Sequence, residues 1–425
     1  MPAGEIFDHM KFTLRPDPTR TVIRPFVPSD PDDVTRSQSR PQRIADRIAA
    51  ISDDRVERLR RLLAQPLAER IDEPEQHLAQ HYAQLRTQHG LAAMDPARAV
   101  VAGAFFSQEY AFESAALFNP SLVLHPDQAD LEPGEVRLIM SLRGIGEGHI
   151  SSATFRTLRW KPGGEPVLEA VNPRAVMPTI ECEAGDIVTF SWPGDMSPSD
   201  AVLFPVLPSQ RQGIEDVRMV TFTEEDGSSR LFATYTAFSG SDSRCEMLET
   251  TKHTSFTLRP LTGRCARNKG MALFPRRIDG WFAMLGRLDN ESVYLMKSDD
   301  PYHWDAADLL IEPRHDWEII QIGNCGSPIE IDEGWLVLTH GVGMVRSYAI
   351  GAVLLDRNDP SRVLARTAEP ILSPRADERG GYVPNVVYSC GGIVHDRTLM
   401  LPYAVADQYT AFSSAPLERV LAAMS

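Results

Sequence analysis

The chain has 425 residues, of which 43 are Lys or Arg and 58 are Asp or Glu, so its formal net charge is −15. Hydrophobic residues make up 43% and charged residues 24%, which is ordinary for a globular protein. The acidic balance argues against a nucleic-acid binder and against docking on anionic lipid, since both need a basic surface. The sequence contains no apolar run of 18 residues, so no transmembrane helix is expected.

The N-terminal stretch MPAGEIFDHMKFTLRPD lacks the basic and then apolar layout of a signal peptide. The cysteines are odd in number and widely spaced, and no CxxC pair signals a zinc cluster or a disulfide framework. They are Cys182, Cys245, Cys265, Cys325 and Cys390. We therefore expect a soluble cytoplasmic protein with reduced thiols and no metal site.

Residues 1–40 are rich in Pro, Asp and Arg and show no clear periodicity. Apolar residues recur every three to five positions over residues 41–92, which predicts helices, with Ser52 and Asp53 as the N-cap candidate of a second helix. The helical pattern stops at Gly90. The Arg residues of this segment alternate with Asp and Glu, which is more typical of a solvated face than of a binding patch.

From about residue 100 the pattern changes to short strand-like runs. Five stretches share one order: an apolar strand, a turn with an acidic residue or Gly, and a second apolar strand. The turns lie at Gly134, Gly227, Gly280, Gly334 and Asp396–Arg397. A polar turn between two apolar runs predicts a β-hairpin. Hairpins that recur about every 50 residues are typical of propeller blades.

We therefore predict an all-β fold, a five-bladed β-propeller over residues 101–425, with an extension over residues 1–100 that is largely helical from about residue 41. Residues 155–210 are expected to be an insertion or the outer strands of the first blade. The final stretch SSAPLERVLAAMS predicts a short amphipathic helix. The alternative is a β-sandwich, whose turns should come at closer and less regular spacing.

Propellers place functional residues around a central channel, on inner strands and their loops. Glu215 and Asp216 precede a strand, and because neighbours in a strand point to opposite faces, at most one is expected to face the channel. An Asp in a partly closed channel can have a raised pKa and act as a general acid. The alternative is a turn acid paired with Arg218.

A basic loop and two strand ends carry candidate cations. Arg264, Arg267 and Lys269 lie within six residues, a cluster that could bind an anion or could simply be a solvated loop. Arg287 ends an apolar strand, where a buried guanidinium needs a partner. His340 holds the equivalent place in the next repeat, and the shared position favours a common anion site over an isolated core histidine.

Asp407 ends the corresponding inner strand of the last repeat, so Arg287, His340 and Asp407 are predicted to form a ring of polar residues around one mouth of the channel. Asn119 and Arg143 lie in the first repeat. Amide, carboxylate and aromatic groups can hydrogen-bond to and stack on a sugar, and the aromatic candidates are Tyr235, Tyr382 and Tyr403. The glycine-rich stretch LRGIGEGHISS follows a strand in a β context and is interpreted as a loop, not a dinucleotide site.

These residues lie in stretches that resemble glycoside hydrolase family 130, the β-mannoside phosphorylases and related mannosidases on five-bladed propellers. The resemblance covers about residues 112–420. It rests on FNPS at 118–121, EDVR at 215–218, NKGMALFPRRIDGWFAMLGR at 268–287, GWLVLTHGVG at 334–343, IGAVLLDRNDPSRVLARTAEPIL at 350–372 and VPNVVYSCGGIVHDRTLMLPYAVAD at 383–407.

The resemblance implies roles for single residues. Asp216 matches the family's catalytic acid, in a motif similar to E-D-P-R. The implied phosphate contacts are Arg267, Lys269, Arg287 and His340. The implied sugar contacts are Asn119 and Asp407, with Arg143, Asn268 and Tyr382 as further candidates for substrate binding. Two positions depart from the family pattern, since Val217 replaces the usual Pro and Gly286 stands where family members often carry His.

The implied reaction is inverting phosphorolysis of a β-1,2- or β-1,4-linked mannoside, or of a mannosyl-glucose, to α-mannose 1-phosphate. A phosphorylase needs only the acid, because phosphate is the nucleophile, whereas an inverting hydrolase also needs a base carboxylate. A family hydrolase with Glu215 or Asp407 as base and a non-catalytic sugar-binding propeller remain the alternatives. Phosphate is the expected co-substrate, with no cofactor, and a homo-oligomer is the expected assembly.

Overall fold

The structure is a computed structural model that describes residues 6–424 apart from residues 32, 34, 69–72, 193, 195 and 253. In chain order, the helices are α1 Arg40–Ala49, α2 Asp53–Ala68, α3 Pro74–His89, α4 Pro96–Phe105 and α5 Leu417–Ala422. The first strands are β1 Asp8–Leu14, β2 Thr21–Pro25, β3 Ser107–Ala111, β4 Ala116–Leu124, β5 Val136–Ile145, β6 Ser151–Trp160, β7 Val167–Leu168, β8 Thr179–Glu183, β9 Ile187–Ser191 and β10 Val202–Leu203.

The next strands are β11 Gly213–Thr223, β12 Ser229–Phe238, β13 Ser243–Lys252, β14 Ser255–Pro260, β15 Ala272–Leu273, β16 Phe282–Gly286, β17 Val293–Ser298 and β18 Ala307–Ile311. The last are β19 Gln321–Asn324, β20 Ile329–Ile331, β21 Gly334–Val342, β22 Tyr348–Leu355, β23 Val363–Arg366, β24 Val387–Tyr388, β25 Ile393–His395, β26 Thr398–Val405 and β27 Tyr409–Pro416. The described chain is therefore mostly β, as predicted, and α5 is the predicted terminal helix.

The chain divides into two compact units, and the division differs from the predicted boundary at residue 100. The smaller unit is Thr21–Ala111 with Arg174–Met177. The larger unit takes the described residues up to Arg20, then Phe112–Pro173 and the residues from Pro178 onwards. The predicted boundary is wrong at the N-terminus because β1 adds an antiparallel strand to the edge of β27 and so belongs to the larger unit.

The smaller unit contains α1 to α4 and the antiparallel pair β2–β3. Ser39 caps α1 in a capping box, and Gly90 ends α3 in the left-handed region at φ 62°, as its position in the pattern predicted. The helix α4 was not predicted, because its run of Val and Ala resembles a strand. Residues 69–72, inside the predicted helical stretch, lie outside the described residues.

Glycine permits the close packing of α3 against α4. A Cβ atom on Gly103 would lie 2.0 Å from the carbonyl oxygen of Leu78, so only a glycine lets the two helix backbones approach this closely. The ring of His81 is buried beside this contact, with Nε2 2.9 Å from the carbonyl oxygen of Phe106. None of the helices among the described residues is long and apolar enough to cross a membrane.

The larger unit consists of five antiparallel meanders, which we number in chain order. The first is β4–β6, the second β11–β14, the third β15–β18, the fourth β19–β23, and the fifth β24–β27 with β1. The first and second join through one parallel bridge, between Ser151 and Gly213. Every predicted hairpin turn lies between successive antiparallel strands of these meanders, so the five repeats are confirmed as hairpins.

Residues 155–210, predicted as an insertion or as outer strands of the first blade, serve two meanders. The strands β7 and β10 both pair with β6 in the first meander. By contrast, β9 pairs with β14 and β8 with β9, so these two strands extend the outer edge of the second meander. The strands β8 and β9 therefore lie at the edge of the second meander farthest from β11, which carries a candidate site residue.

Apolar side chains fill the spaces between successive meanders. Phe222 and Phe282 belong to one buried cluster that joins the second meander to the third, and Phe274 packs edge-to-face on Trp335 between the third and fourth. Further clusters join the fourth meander to the fifth and the fifth to the first. This packing fixes the ends of the strands that carry the predicted site residues.

Candidate active site

The predicted site residues lie on or near the first or second strand of each meander, counted along the sheet. Asn119 lies on β4 and Asp216 on β11, the first strands of their meanders, and Asn268 lies just ahead of β15. The second strands carry Arg143 on β5, Arg287 directly after β16, His340 on β21 and Asp407 just after β26. Arg287 and Asp407 thus follow the ends of their strands, whereas His340 lies two residues before the end of β21.

A β-bulge turns Asp216 toward the neighbouring meander. The pairing of β11 with β12 shifts between Glu215 and Arg218, and Asp216 adopts a left-handed backbone at φ 55°. The prediction that Glu215 and Asp216 point to opposite faces is wrong, because the bulge interrupts the alternation of the strand. Both carboxylates contact the guanidinium of Arg143.

Asn119 lies in a matching bulge of β4, again left-handed at φ 50°. Its Nδ2 donates to Oδ1 of Asp216 at 2.6 Å, while its Oδ1 is buried with no hydrogen-bond partner among the described residues. Strained backbone of this kind persists where the surrounding structure holds it and often marks a functional site. A buried acceptor beside a carboxylate suits a ligand hydroxyl.

Glu215 holds two cations in place beside Asp216. Arg143 donates from Nη2 to Oε1 of Glu215 at 2.6 Å, and Lys269 donates from Nζ to Oε2 at 2.8 Å. Arg143 also reaches Oδ1 of Asp216 at 3.4 Å. Both oxygens of the Glu215 carboxylate are therefore paired with cations that surround Asp216.

The two other carboxyl groups of the site have opposite pKa shifts. Burial alone would raise the pKa of Asp216, but the charges of Arg143, Arg218 and Lys269 and the Asn119 hydrogen bond lower it to about 2. Burial and the charge of Asp216 raise the pKa of Asp407 to about 6. Carboxyl groups whose environments separate their pKa values are candidates for different steps of proton transfer.

Two of the four predicted phosphate ligands, Arg287 and His340, lie side by side, and Arg287 also lies against the glycine that follows Lys269. A Cβ atom on Gly270, next to Lys269, would lie 2.8 Å from Nε of Arg287. A Cβ atom on Gly323 would lie 2.5 Å from Cδ of Arg287 and 2.5 Å from Cε1 of His340. The two glycines thus let the Arg287 side chain pass between Gly270 and Gly323, which brings it beside the imidazole of His340, while the Lys269 ammonium is held by Glu215.

His340 was predicted as a possible cation, and its surroundings correct this. Burial and the charges of Arg287 and Arg218 lower the pKa of His340 well below its usual value. Its ring stacks parallel to Tyr348, with centroids 6.1 Å apart, and lies 3.3 Å from the amide nitrogen of Gln321. A neutral imidazole can still donate a hydrogen bond to an anion, so His340 is a candidate donor rather than a charge.

Arg218, the proposed partner of a turn acid, has a structural role. Its guanidinium donates to the carbonyl oxygens of Cys325 and Asp216, both at 2.9 Å, and to the Tyr388 hydroxyl at 2.7 Å. These contacts tie the second meander to the fourth and fifth. The carboxylate of Asp216 is instead paired with Arg143. The alternative prediction, a turn acid paired with Arg218, is therefore wrong.

The remaining predicted residues differ in their placement. Arg267 is exposed, two residues ahead of Lys269. The Asn268 side chain donates to the carbonyl oxygen of Leu288 at 2.5 Å, which holds the basic loop. Arg264 is exposed and donates to Asp305. Tyr382 is exposed, and its loop is fixed by a hydrogen bond from the Val383 amide to the Ala406 carbonyl, next to Asp407.

Tyr235 and Tyr403 were proposed as sugar-stacking residues, and the structure places both in the core. The hydroxyl of Tyr235 donates to the buried Glu246, and that of Tyr403 donates to the buried Glu378 at 2.9 Å. Burial and the neighbouring carboxylate raise the pKa of each phenol. Neither ring is available to stack on a ligand at the surface.

Sequence reasoning missed Gly323, Gln321 and Arg346. Arg346 lies close enough for its charge to lower the pKa of Asp407, against the larger effects that raise it. The stretch QIGNCGSP, which contains Gly323, holds in the fourth meander the place of the basic loop in the third, and that equivalence is the signal that could have found it. Arg346 lies in a turn with no motif.

Gly286 stands where family members often carry His, and the structure gives a reason for this difference. A Cβ atom there would lie 2.7 Å from Cε of Met296 and 3.5 Å from Cγ of Met271, so methionine side chains fill the space a larger residue would need. Val217, where the family pattern has Pro, is buried, and its carbonyl accepts a hydrogen bond from the Ser141 hydroxyl at 3.2 Å. The bulge that aims Asp216 forms without the Pro.

Comparison with known proteins places this site in a family. The family model for glycoside hydrolase family 130, described as beta-1,4-mannooligosaccharide phosphorylase, matches residues 198–425, more than half of the chain. The chain therefore belongs to glycoside hydrolase family 130, as its sequence motifs predicted. The relatives reported below are named phosphorylases of mannosides.

Two relatives come from Thermoanaerobacter sp. (strain X514). The chain is 41% identical to a 1,2-beta-oligomannan phosphorylase over 142 residues, which are 33% of this chain and 48% of that protein. It is 32% identical to a beta-1,2-mannobiose phosphorylase over 228 residues, which are 52% of this chain and 72% of that protein. The matched part thus spans about half the length of the first relative.

Solved structures show a similar fold. The beta-1,2-mannobiose phosphorylase from Listeria innocua, in complex with beta-1,2-mannobiose, matches with a TM-score of 0.52 at 22% identity. The match covers 74% of this chain and 92% of that one. At this identity the likeness concerns the fold alone.

Proposed function

We propose that this protein is an inverting phosphorylase that cleaves a β-mannoside with inorganic phosphate and releases α-mannose 1-phosphate. The observation that carries the proposal is the placement of Arg287 beside His340 at Gly323 and against Gly270, which follows Lys269 in the chain. A guanidinium and a neutral imidazole donor side by side, with the Lys269 ammonium on the adjoining loop, suit a phosphate dianion. Phosphate would be the co-substrate, and the chemistry needs no metal or organic cofactor.

Asp216 is the proposed general acid, and its low pKa fits this role once phosphate is considered. The neighbouring cations keep Asp216 ionised at neutral pH. A phosphate dianion held by Lys269 would offset the positive field and place negative charge near Asp216. Both effects raise the pKa of the carboxyl group, so phosphate binding itself favours the protonated form that an acid catalyst requires.

The mannosyl group would lie between Asn119 and Asp407. The buried Oδ1 of Asn119 has no partner among the described residues, and it would accept a hydrogen bond from a sugar hydroxyl. Asp407, whose pKa is raised to about 6, would accept from further hydroxyls in its ionised form. Asp216 would then protonate the leaving oxygen directly or through a hydroxyl of the bound sugar, while phosphate attacks C1 from the opposite face.

A hydrolase of the same family is the second candidate, and one observation favours it. A carboxylate with a pKa near 6 is suited to act as a general base, and Asp407 has such a value. Glu215, the other base considered, is held by Arg143 and Lys269 on its two oxygens. The gathered cations favour phosphate over water, because an inverting hydrolase has no anion to bind at that position.

The proposal includes a closed five-bladed propeller in which each meander is one blade. Buried clusters join the second meander to the third and so on around to the first, and the first and second share a sheet, which supports closure. The strand β1 beside β27 would complete the fifth blade with the N-terminal chain. Asn119, Asp216 and Asp407 would then surround one end of the channel.

One assay tests the function. The protein is incubated with β-1,2- and β-1,4-mannobiose, with and without phosphate, and mannose 1-phosphate and free mannose are quantified by chromatography. Mannose 1-phosphate formed only in the presence of phosphate supports the proposal. Mannose released at the same rate without phosphate would establish the hydrolase instead. Folded protein that turns over no mannoside would indicate a sugar-binding protein.

A further inference from the structure

Two turns of the chain share one backbone conformation and differ in the residue type at the third, left-handed position. The turn between β5 and β6 starts at Gly146, and the turn between β21 and β22 starts at Gly343, each with φ near −110°. In both, the amide of the first residue donates to the carbonyl of the fifth, at 3.1 Å and 2.9 Å. The third residue is left-handed in both, Gly148 at φ 72° and Val345 at φ 56°.

Glycine adopts this backbone without cost, whereas a β-branched residue in it is strained. Val345 carries that strain although its side chain packs on almost nothing, since it is 88% exposed. Packing therefore does not explain why a valine holds this position. Strain kept at an exposed position is evidence that the side chain itself serves a purpose there.

The surroundings of Val345 are apolar and exposed as well. Val345, Met344 and Tyr382 are the three most exposed large apolar or aromatic side chains among the described residues, at 88%, 80% and 80%. The two loops that carry them are adjacent, because the amide of Tyr348 donates to the carbonyl of Asn385 at 2.9 Å. We call Met344, Val345 and Tyr382 the apolar rim.

The apolar rim is continuous with the candidate active site. Arg346, next to Val345, lies close enough to influence the pKa of Asp407, and its guanidinium carbon lies 5.8 Å from the centre of the Tyr348 ring. The Tyr348 ring in turn stacks on His340. The loop of Tyr382 is hydrogen-bonded next to Asp407, through Ala406. Whatever occupies the rim therefore also approaches the reacting groups.

We propose that the apolar rim binds the leaving-group side of the substrate, and that this side carries an alkyl or aryl group. The inference rests on the proposed function, because it takes Asp216 and Asp407 to hold the mannosyl side. A sugar acceptor recognised by its hydroxyls needs hydrogen-bonding side chains, whereas Met344 and Val345 offer only a thioether and an isopropyl group, and Tyr382 adds an aromatic ring with a single hydroxyl. Continuity with the site favours substrate over a second copy of the chain.

A matched pair of substrates tests the proposal. Methyl and hexyl β-mannoside have the same mannosyl group and the same kind of leaving oxygen, and they differ only in alkyl length. Partial burial of the additional methylenes should raise kcat/KM for the hexyl compound about tenfold over the methyl compound. Equal values for the two compounds would overturn the proposal.

Two variants test whether the apolar rim causes the preference for hexyl over methyl β-mannoside. Val345→Gly and Met344→Ser should bring the hexyl to methyl ratio to within about threefold, whereas Leu309→Ser, a change of an exposed side chain on β18, should leave it unchanged. Val345→Gly should also melt at the same or a higher temperature than the parent, because it relieves the strained backbone. A lower melting temperature with an unchanged ratio would mean that Val345 has a structural role only.

Failure of the proposed function can be told apart from failure of this inference. If no mannoside is turned over, calorimetric titration with the two mannosides still measures binding at the apolar rim. Tighter binding of the hexyl compound than of the methyl compound then supports the proposed alkyl preference. Light scattering measures the oligomeric state and so tests whether a second copy of the chain occupies the apolar rim. A parent oligomer that Val345→Asp dissociates, together with no alkyl preference, would assign the rim to subunit contact and overturn the proposal.

Discussion

Asp216 and Asp407 are the same residue type, both largely buried and both left-handed, at φ 55° and φ 52°, yet they hold their protons very differently. Asp216 lies in the bulge of β11, among Arg143, Arg218 and Lys269, and its pKa is lowered to about 2. Asp407 follows β26 on the far side of the site, and its pKa is raised to about 6.

The comparison shows that neighbouring charge, not burial, separates the two groups. Burial pushes both pKa values upward, but only Asp216 has enough cations close by to reverse the effect. The two groups are also linked, since the charge of Asp216 helps to raise the pKa of Asp407. Each prediction below tests this difference.

The largest effect is expected from Asp216→Asn. The amide keeps the shape of the side chain but cannot deliver a proton, so kcat for phosphorolysis should fall at least ~10³-fold, a typical loss for an essential proton donor. Initial rates of mannose 1-phosphate formation measure this, with circular dichroism to confirm folding. Asp299→Asn, at an exposed turn, is the control. Near-normal turnover by Asp216→Asn would remove Asp216 from the role of acid.

Asp407→Asn and Asp216→Asn should change the free energy of unfolding in opposite directions at pH 7. The folded pKa of Asp407, about 6, lies above its unfolded value near 3.9, so its stabilising contribution is present below pH 4 and is lost as the pH rises to 6. Asp407→Asn should therefore raise the free energy of unfolding at pH 7 by about 1–3 kcal/mol, with little change at pH 4.

Asp216 has the reverse sign. Its folded pKa, about 2, lies below the unfolded value, so it stabilises the fold above pH 4 and loses that contribution as the pH falls toward 2. Asp216→Asn should lower the free energy of unfolding at pH 7 by about 2 kcal/mol. Urea unfolding of both variants between pH 4 and pH 8 tests the pair. Shifts of the same sign at pH 7 would contradict the assigned environments.

Arg287→Ala tests the proposed phosphate site beside Asp216. Loss of the guanidinium that lies between Gly270 and Gly323 should raise KM for phosphate about tenfold or more, since a charge-assisted contact contributes roughly 1.5–3 kcal/mol. KM for the mannoside should change little. Arg264→Ala, an exposed cation of the basic loop, is the matched control. An unchanged KM for phosphate in Arg287→Ala would exclude Arg287 from the anion site.

The smallest effect is expected from Glu215→Gln. Removal of this charge frees Lys269 and Arg143 for an anion and takes away a negative neighbour of Asp407, so KM for phosphate should fall about two- to fivefold, within the range of a single pairwise charge effect. The pKa of Asp407 should fall as well. Steady-state kinetics at several phosphate concentrations measures the change, with Glu225→Gln as control. A higher KM would mean that Glu215 positions Lys269 for phosphate rather than competing with it.

Much of this could be predicted from the sequence because repetition and motif are local properties. The five hairpin turns, from Gly134 to Asp396–Arg397, follow from polar turn residues between apolar runs, and they lie where the spacing predicted. Family membership followed from long ordered stretches of the last three repeats. The helix α4 was missed because an apolar run of Val and Ala satisfies a strand pattern as well as a helical one.

The errors at the site have one cause, which is that chain spacing does not show backbone irregularity. Glu215 and Asp216 share Arg143 as a partner because of a β-bulge. No residue in EDVR indicates that bulge. His340 is neutral because burial beside Arg287 outweighs every group that would favour its charge. Both facts depend on residues far apart in the chain.

The sequence by itself determined the repeat, the family and the residue types that the site draws on, since these are written in order along the chain. Only the tertiary structure decided which of those residues meet and in which protonation state. Asp216 and Asp407 look alike in the sequence, and their pKa values separate because folding brings three cations to one and a carboxylate to the other. Electrostatic environment is set by distance in space, which the order of residues does not contain.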